Sequence, residues 1–207
     1  MDYTTVAQPA EFQYEVKKSK FTARVIPITD LESGLKQIEA IRETYKDATH
    51  NCYAIIDIPD TSAYRFSDDG EPADTAGRPI LSVLLKNRVH ATACIITRYF
   101  GGIKLGTGGL TSAYTYGATE ALKLAGKVLK RKSVLLRVKL TYSEFKLFEL
   151  RIRALDTRFR DVKYSDFTQI EVVTPETQAQ AVIDIISAIT QGDNDRYKIL
   201  RTYFETY

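Results

Sequence analysis

The chain has 207 residues, and its 29 lysines and arginines against 26 aspartates and glutamates give a net charge of +3. This length exceeds one typical domain, and a hydrophobic share of 44% is ordinary for a globular protein, so we expect two modest domains. No apolar run is long enough to cross a bilayer, and the start MDYTTVAQP lacks a basic region followed by an apolar one. We therefore expect a cytoplasmic protein that is neither secreted nor inserted into a membrane.

Periodicity and turn residues predict a mixed α+β domain in the first part of the chain. The predicted elements are two strands around KKSK within 11–28, a helix over 30–46 capped by Asp30, a strand over 50–58, a helix near GRPILSVLLKNR capped by Thr75, a strand over 91–100 and a helix ending near Gly126. The basic run after Gly126 predicts a domain boundary there.

The remainder of the chain predicts the order βαββαβ. The segment VLLRVKLTY alternates, with Val134, Leu136, Val138, Leu140 and Tyr142 on one face. A helix over 143–155, strands near 159–165 and 168–173, a helix preceded by the capping signature Thr174-Pro175 and followed by Gly192, and a strand near 196–204 complete the order. This is the split βαβ, ferredoxin-like pattern, which does not by itself imply a function.

The segment RYFGGIKLGTGGLTSAY at 98–114 places many glycines and one lysine between a predicted strand and a predicted helix. Glycine admits positive φ and lets N–H groups converge on an anion, and the helix would direct the positive end of its dipole to the same place. The segment matches neither a Walker A loop nor a dinucleotide fingerprint. It is a candidate phosphate loop, and structural tight turns are the alternative. The candidate residues are Arg98, Gly101, Gly102, Lys104, Gly106, Thr107, Gly108 and Gly109.

A second loop, RFSDDGEPADTAGRPIL at 65–81, is rich in carboxylates. Its candidate residues are Arg65, Asp68, Asp69 and Glu71. Arg65 and Arg78 flank the loop, and we expect them to pair with its carboxylates. The alternative is a hydrated magnesium ion held beside the phosphate loop, which would support metal-assisted phosphoryl or phosphodiester chemistry.

Cysteine and histidine are scarce. His50 is two residues from Cys52 and His90 is four from Cys94, so a Cys/His dyad or a zinc site can be drawn. Both cysteines lie in apolar runs, however, and the common zinc and hydrolase signatures are absent. We therefore interpret them as reduced core thiols.

Charge is concentrated in the middle of the chain. Residues 127–163 contain 12 basic and 4 acidic side chains, whereas the segments 1–126 and 164–207 carry net charges of −1 and −4. A block of +8 is a candidate surface for a polyanion, and an ordinary solvated face is the alternative.

The two loops, together with KKSKF at 17–21 and ATHNCYA at 48–54, resemble the YigZ/IMPACT family over most of residues 12–120. The chain departs from the family pattern at Ala73 and Asp74, where Ser-Gly is usual, and at Ser112, where the family usually has arginine.

The resemblance implies a two-domain α+β fold. Residues 1–126 would form an Impact-type N-terminal domain, a left-handed βαβ domain resembling domain IV of elongation factor G. Residues 127–207 would form a ferredoxin-like domain resembling domain V of that factor. The family implies a role in translation, and eukaryotic relatives bind the scaffold protein of the general amino-acid-control kinase pathway. No catalytic residue carries over to this chain.

These observations predict a non-enzymatic RNA- or ribosome-associated regulator of translation without a cofactor. A magnesium-dependent enzyme that uses Asp68, Asp69 and Glu71 is the alternative, and a regulator that binds only a protein of the translation machinery is a second alternative. The sequence leaves the oligomeric state open, because an edge strand at either terminus could pair with a copy of itself.

Overall fold

The computed structural model describes residues 2–59 and 63–206. They divide into two compact units, 3–129 and 130–206, in agreement with a two-domain α+β fold. The division falls between residues 129 and 130. Within the described ranges, no helix combines the length and apolarity that a membrane span requires.

In its described residues, the first unit contains six strands and three helices. They are β1 (Tyr3–Val6), β2 (Ala10–Val16), β3 (Ser19–Pro27), α1 (Leu31–Thr44), β4 (His50–Ile56), β5 (Tyr64–Ser67), α2 (Gly77–Lys86), β6 (Thr92–Tyr99) and α3 (Gly106–Ala125). Strands β2 to β6 form one antiparallel sheet in the order β2-β3-β6-β4-β5. Sequence analysis missed the short strands β1 and β5.

The central strand β6 is buried on both faces of this sheet. Cys94 and Ile96 point into a core shared with α2 and α3, whereas Ala93 and Ile95 point into a second core that contains Ile38 of α1. Strand β6 is therefore apolar at successive positions, as expected for a strand buried on both faces.

Local hydrogen bonding determines where α1 begins. The side chain of Asp30 accepts a hydrogen bond from the Ser33 amide at 2.7 Å, and Ser33 in turn caps the Asp30 amide, which forms a capping box. The predicted cap is thus confirmed. At the other end of this unit, α3 ends at Ala125, and Gly126 follows with φ of 64°, as expected for a glycine after a helix.

The second unit is built on one antiparallel sheet, and its elements follow the predicted order βαββαβ. They are β7 (Lys127–Leu140), which begins in the first unit, then α4 (Tyr142–Arg151), β8 (Arg158–Tyr164), β9 (Thr168–Pro175), α5 (Glu176–Ile189) and β10 (Tyr197–Thr206). The strands of this unit lie in the order β10-β7-β9-β8. Alternate apolar residues of β7 and β9 pack with α4 and α5 in a single core.

Two predictions for this unit were wrong. Tyr142 does not extend the buried face of β7, because Thr141 caps α4 and turns the chain, so Tyr142 is 52% exposed. Thr174 does not cap α5, because it is still paired with Val134 in the ladder between β9 and β7. The residue at the N-cap is Pro175, which makes no side-chain capping bond.

Glycine is required where the chain leaves β6. A Cβ atom on Gly101 would lie 2.0 Å from the carbonyl carbon of Lys18, in the turn between β2 and β3. Backbone atoms at that distance cannot move aside without a shift of the turn. By contrast, a Cβ atom on Gly108, in the first turn of α3, would meet no atom within 4 Å.

We expect Gly101→Ala to lower the free energy of unfolding by about 1–3 kcal/mol or more, because the added methyl group overlaps backbone. Gly108→Ala is the matched control, and it should leave stability unchanged or raise it by up to about 1 kcal/mol, because alanine is the better helix former. Urea unfolding followed by circular dichroism measures both. Equal stability of the two variants would contradict the close approach at Gly101.

Candidate phosphate-binding cleft

Asp68 positions the acidic loop by capping α2. One carboxylate oxygen accepts hydrogen bonds from the amides of Ala76 at 2.9 Å and Gly77 at 2.8 Å, and the other accepts from the Asp74 amide at 3.0 Å. The cap predicted at Thr75 was therefore wrong. The Thr75 hydroxyl instead donates to the carbonyl of Pro72 at 2.6 Å.

Asp69 fastens the same loop to β4 and α1. Its carboxylate accepts from the Asn51 amide at 2.6 Å and from Arg42 at 3.0 Å, and its carbonyl oxygen lies 2.8 Å from Nδ1 of His50. Asp69 itself has φ of 44°, a conformation that aspartate tolerates better than most residues.

Asp74 also adopts positive φ, at 61°. The family usually has glycine at this position, and here aspartate occupies a left-handed conformation of the backbone. Arg78 pairs with Asp74 at 3.5 Å, as expected, although both side chains are more than half exposed. Arg65, also expected to pair with the loop, lies in β5 and donates to the carbonyl of Tyr64.

A buried ion pair joins the acidic loop to the end of β6. Nη1 of Arg98 lies 2.5 Å from Oε1 of Glu71, and the two side chains are 5% and 3% exposed. The Tyr114 hydroxyl of α3 donates to the same Glu71 oxygen at 2.7 Å, and Nη2 of Arg98 donates to Ser19. Burial and the adjacent carboxylate raise the pKa of Tyr114 above its ordinary value, so this hydroxyl remains a donor.

This pair changes the role expected for Arg98. Sequence analysis placed Arg98 among the direct ligands of a phosphate, but its charge is opposed by Glu71 and its side chain is almost fully buried. Lys104, by contrast, is exposed. Of the two cations expected at the glycine loop, Lys104 is the one that solvent reaches freely.

The carboxylates are not arranged around a common point. Asp68 accepts backbone amides of α2, Asp69 accepts from Asn51 and Arg42, and Glu71 pairs with Arg98. In the described part of the chain, no group of three or more His, Cys, Asp or Glu side chains is placed to hold a metal ion. The donor geometry therefore does not fit the hydrated magnesium ion considered as an alternative.

The glycine loop ends where α3 begins. Gly102 and Gly106 have φ of 82° and 76°, and Leu105 at the N-cap of α3 makes no side-chain capping bond. The N–H groups of the first three helical residues, here Gly106, Thr107 and Gly108, have no partner within the helix. They are available to an external acceptor.

A cleft of about 470 Å³ in the first unit brings the two loops together. Among the predicted residues, Glu71, Arg98, Lys104, Gly106 and Thr107 line it. Sequence analysis missed the other lining residues, which are Thr49, His50, Pro72, Phe100, Leu105 and Leu110. The remaining predicted residues, Arg65, Asp68, Asp69, Gly101, Gly102, Gly108 and Gly109, lie outside the lining. His50 could have been nominated as a site residue because it lies in the motif ATHNCYA. Sequence analysis used this motif only for the family resemblance and for a possible Cys/His dyad.

Among the described residues, no hydrogen bond joins Cys52 to His50. The Cys52 thiol donates to the carbonyl of Asp68 at 2.9 Å, whereas Nδ1 of His50 is engaged by Asp69. Both cysteines are free and fully buried. Burial raises the pKa of the Cys94 thiol to about 12, and it also raises that of Cys52.

The basic block of the second unit is partly neutralised by ion pairs. The pairs are Arg131 with Asp156, Lys132 with Glu176, Arg137 with Glu171, Arg158 with Glu205 and Lys163 with Asp161. Within residues 127–163, the exposed cations without an ion pair to a described residue are Lys127, Lys139, Lys146, Arg151, Arg153 and Arg160. About half of the block is therefore available to a polyanion.

We expect Arg98→Ala to lower the free energy of unfolding by about 3–5 kcal/mol, because it leaves the buried Glu71 carboxylate without its partner. The matched control is Arg78→Ala, which removes an arginine from an exposed pair and should cost less than about 1 kcal/mol. Chemical denaturation of both variants measures the difference. A loss for Arg98→Ala no larger than for the control would contradict the buried pair.

We expect neither thiol to react with a water-soluble aromatic disulfide in the native protein, because the thiolate is the reactive form and burial disfavours it. After unfolding in urea, both cysteines should react. The absorbance of the aromatic thiolate released from the reagent gives the number of cysteines that have reacted. One rapidly reacting cysteine in the native protein would instead support a Cys/His dyad.

Comparison with known proteins identifies the family. The Impact N-terminal domain matches residues 17–122. The chain is 31% identical to the IMPACT family member YvyE of Bacillus subtilis over 98% of this chain and 94% of that protein. It is 33% identical to the IMPACT family member YigZ of Escherichia coli, over 82% and 84% of the two chains. A crystal structure of a hypothetical protein matches with a TM-score of 0.67 and 29% identity, over 96% of both chains. This chain belongs to the IMPACT family.

Proposed function

We propose that this protein is a non-enzymatic regulator of translation that binds RNA or a ribosomal surface and contacts phosphate groups in the cleft. The observation that carries the proposal is the start of α3. Its N-terminus has no side-chain cap, and Gly106 and Thr107 line the cleft together with Lys104. A helix N-terminus beside an exposed lysine suits an anion.

The chemistry of this arrangement favours a phosphate backbone over a defined sequence. Backbone amides and a lysine contact phosphate oxygens, which are the same in every nucleotide, so they position a nucleic acid without reading its sequence. Glu71 lines the cleft as well, but its charge is opposed by Arg98 and it does not repel a phosphate as a free carboxylate would.

The second unit supports the same interpretation. Among the described residues, its exposed cations without ion pairs include Lys139, Lys146, Arg151, Arg153 and Arg160, which provide long-range attraction for a polyanion. Tyr142 and Tyr164 are 52% and 63% exposed and their rings are nearly parallel, with centroids 6.2 Å apart. Exposed aromatic rings of this kind can stack on unpaired bases. The link to translation rests on the family resemblance to elongation factor G domains.

We expect Lys104→Ala to weaken binding of a single-stranded RNA several-fold and to reduce the slope of log affinity against log salt by about one phosphate contact. Lys86→Ala is the matched control, because Lys86 is an exposed lysine of the same unit that does not line the cleft. Fluorescence anisotropy across about 50–200 mM salt measures both slopes.

Lys104→Ala is preferable to any variant of Arg98 in this experiment, because loss of the buried pair would confuse binding with stability. Identical slopes for Lys104→Ala and the wild type would contradict phosphate binding at the loop. Absence of RNA and ribosome binding, combined with salt-insensitive capture of a protein of the translation machinery, would instead favour the regulator that binds only protein.

A further inference from the structure

His50 presents a hydrogen-bond acceptor to the cleft. Its Nδ1 lies 2.8 Å from the carbonyl oxygen of Asp69, and a carbonyl oxygen only accepts, so Nδ1 must carry the proton of this bond. In neutral imidazole the other nitrogen is then an acceptor. The tautomer assigned by this network leaves the lone pair of Nε2 for a partner outside the ring.

A second acceptor lies next to it. Oε2 of Glu71 is 3.8 Å from Nε2 of His50, which is too long for a hydrogen bond. The other Glu71 oxygen already accepts from Arg98 and Tyr114. In the part of the chain that the structure describes, no group donates to Oε2, and both residues line the cleft. Neither atom is among the buried side-chain atoms without a hydrogen-bond partner, so the two acceptors lie side by side in a cleft that solvent or a ligand can enter.

This pair of acceptors favours a particular kind of ligand group. A hydroxyl group has one hydrogen and can satisfy only one of the two acceptors, whereas an –NH₂ group has two hydrogens and can satisfy both. The cleft volume of about 470 Å³ lies in the range for small-molecule sites. Phe100, Pro72 and Leu105 supply apolar surface, and Phe100 is 47% exposed, so a flat ring could rest against it.

We infer that the cleft binds a nucleotide whose base carries an exocyclic amino group, and that this amino group donates to both Glu71 and His50. The inference rests on the proposed phosphate binding, which places an anion at Lys104 and the start of α3. Cytosine and adenine present an amino donor, whereas uracil presents a carbonyl acceptor at the position of the cytosine amino group. Uracil would therefore face two acceptors, and the cleft discriminates against it. The nucleotide is either free or part of an RNA chain.

Oligocytidylate and oligouridylate of equal length test this inference, because their bases differ at the amino position while their backbones are the same. At about pH 8, where an ordinary imidazole is neutral, the wild type should bind oligocytidylate about tenfold more tightly in a fluorescence anisotropy titration, as expected for a pair of base-edge hydrogen bonds. His50→Phe removes one of the two acceptors and should lower the ratio of the two affinities several-fold.

His90→Phe is the matched control, because His90 is the other histidine of the chain and does not line the cleft. It should retain the wild-type preference. Glu71→Gln, which places an amide beside the base, should shift the preference towards oligouridylate. If circular dichroism shows that Glu71→Gln does not fold, His50→Phe decides the question alone.

The possible outcomes separate this inference from the proposed function. Equal, salt-dependent affinity of the wild type for both RNAs would overturn the reading of the base and leave phosphate binding intact. An undiminished preference in His50→Phe would also overturn it. If neither RNA binds, both the proposed function and this inference are overturned.

Titrations with cytidine and uridine monophosphates show whether the ligand is a free nucleotide or part of an RNA chain. Preferential binding of free cytidine monophosphate, as tight as that of oligocytidylate, supports a free nucleotide, and much tighter binding of oligocytidylate supports RNA.

Discussion

The buried ion pair of Glu71 and Arg98 is the constraint on which the cleft depends. A carboxylate and a guanidinium removed from water are tolerated only when each satisfies the other. Here the pair connects the acidic loop to the end of β6, and the Tyr114 hydroxyl adds α3 to the same point. Three segments that are distant in the sequence are thereby held together, and the start of α3 is placed beside the acidic loop.

The other carboxylates of the acidic loop serve the same end. Asp68 caps α2, and Asp69 ties the loop to β4 and α1. Two of the three candidate carboxylates of the acidic loop, those of Asp68 and Asp69, therefore stabilise the fold. Glu71 differs, because one of its oxygens accepts from Arg98 and Tyr114, whereas the other lies 3.8 Å from Nε2 of His50. The cleft consequently has a cation at Lys104 and a pair of hydrogen-bond acceptors at Glu71 and His50. The cation favours the phosphate of a nucleotide, and the acceptors favour an amino group on its base.

The two units distribute these properties unequally. The first unit contains the cleft and has strands buried on both faces, so its surface chemistry is concentrated in loops. The second unit has one core and an excess of basic residues, many of them in ion pairs. Net charge in the sequence thus overstates the charge that a polyanion would meet, because pairing is a property of the folded chain.

The sequence by itself determined most of the elements. The strand β6, the capping box at Asp30 and the βαββαβ order of the second unit follow from local periodicity and hydrogen bonding between near neighbours. The family was also evident, because its motifs are long and ordered. The errors at Thr75 and Thr174 arose where a distant partner was stronger than a local one, since Asp68 caps α2 and the β9 ladder retains Thr174.

Only the tertiary structure decided which residues form the site. Local patterns identified Lys104 and the glycines as one loop and the carboxylates as another. They did not predict that Arg98 forms a buried ion pair with Glu71 or that His50 lines the same cleft. These contacts join residues of different strands and loops. The geometry of these contacts depends on the order of the strands in the sheet and on the burial of charged groups. The spacing of residues along the sequence predicts neither of these.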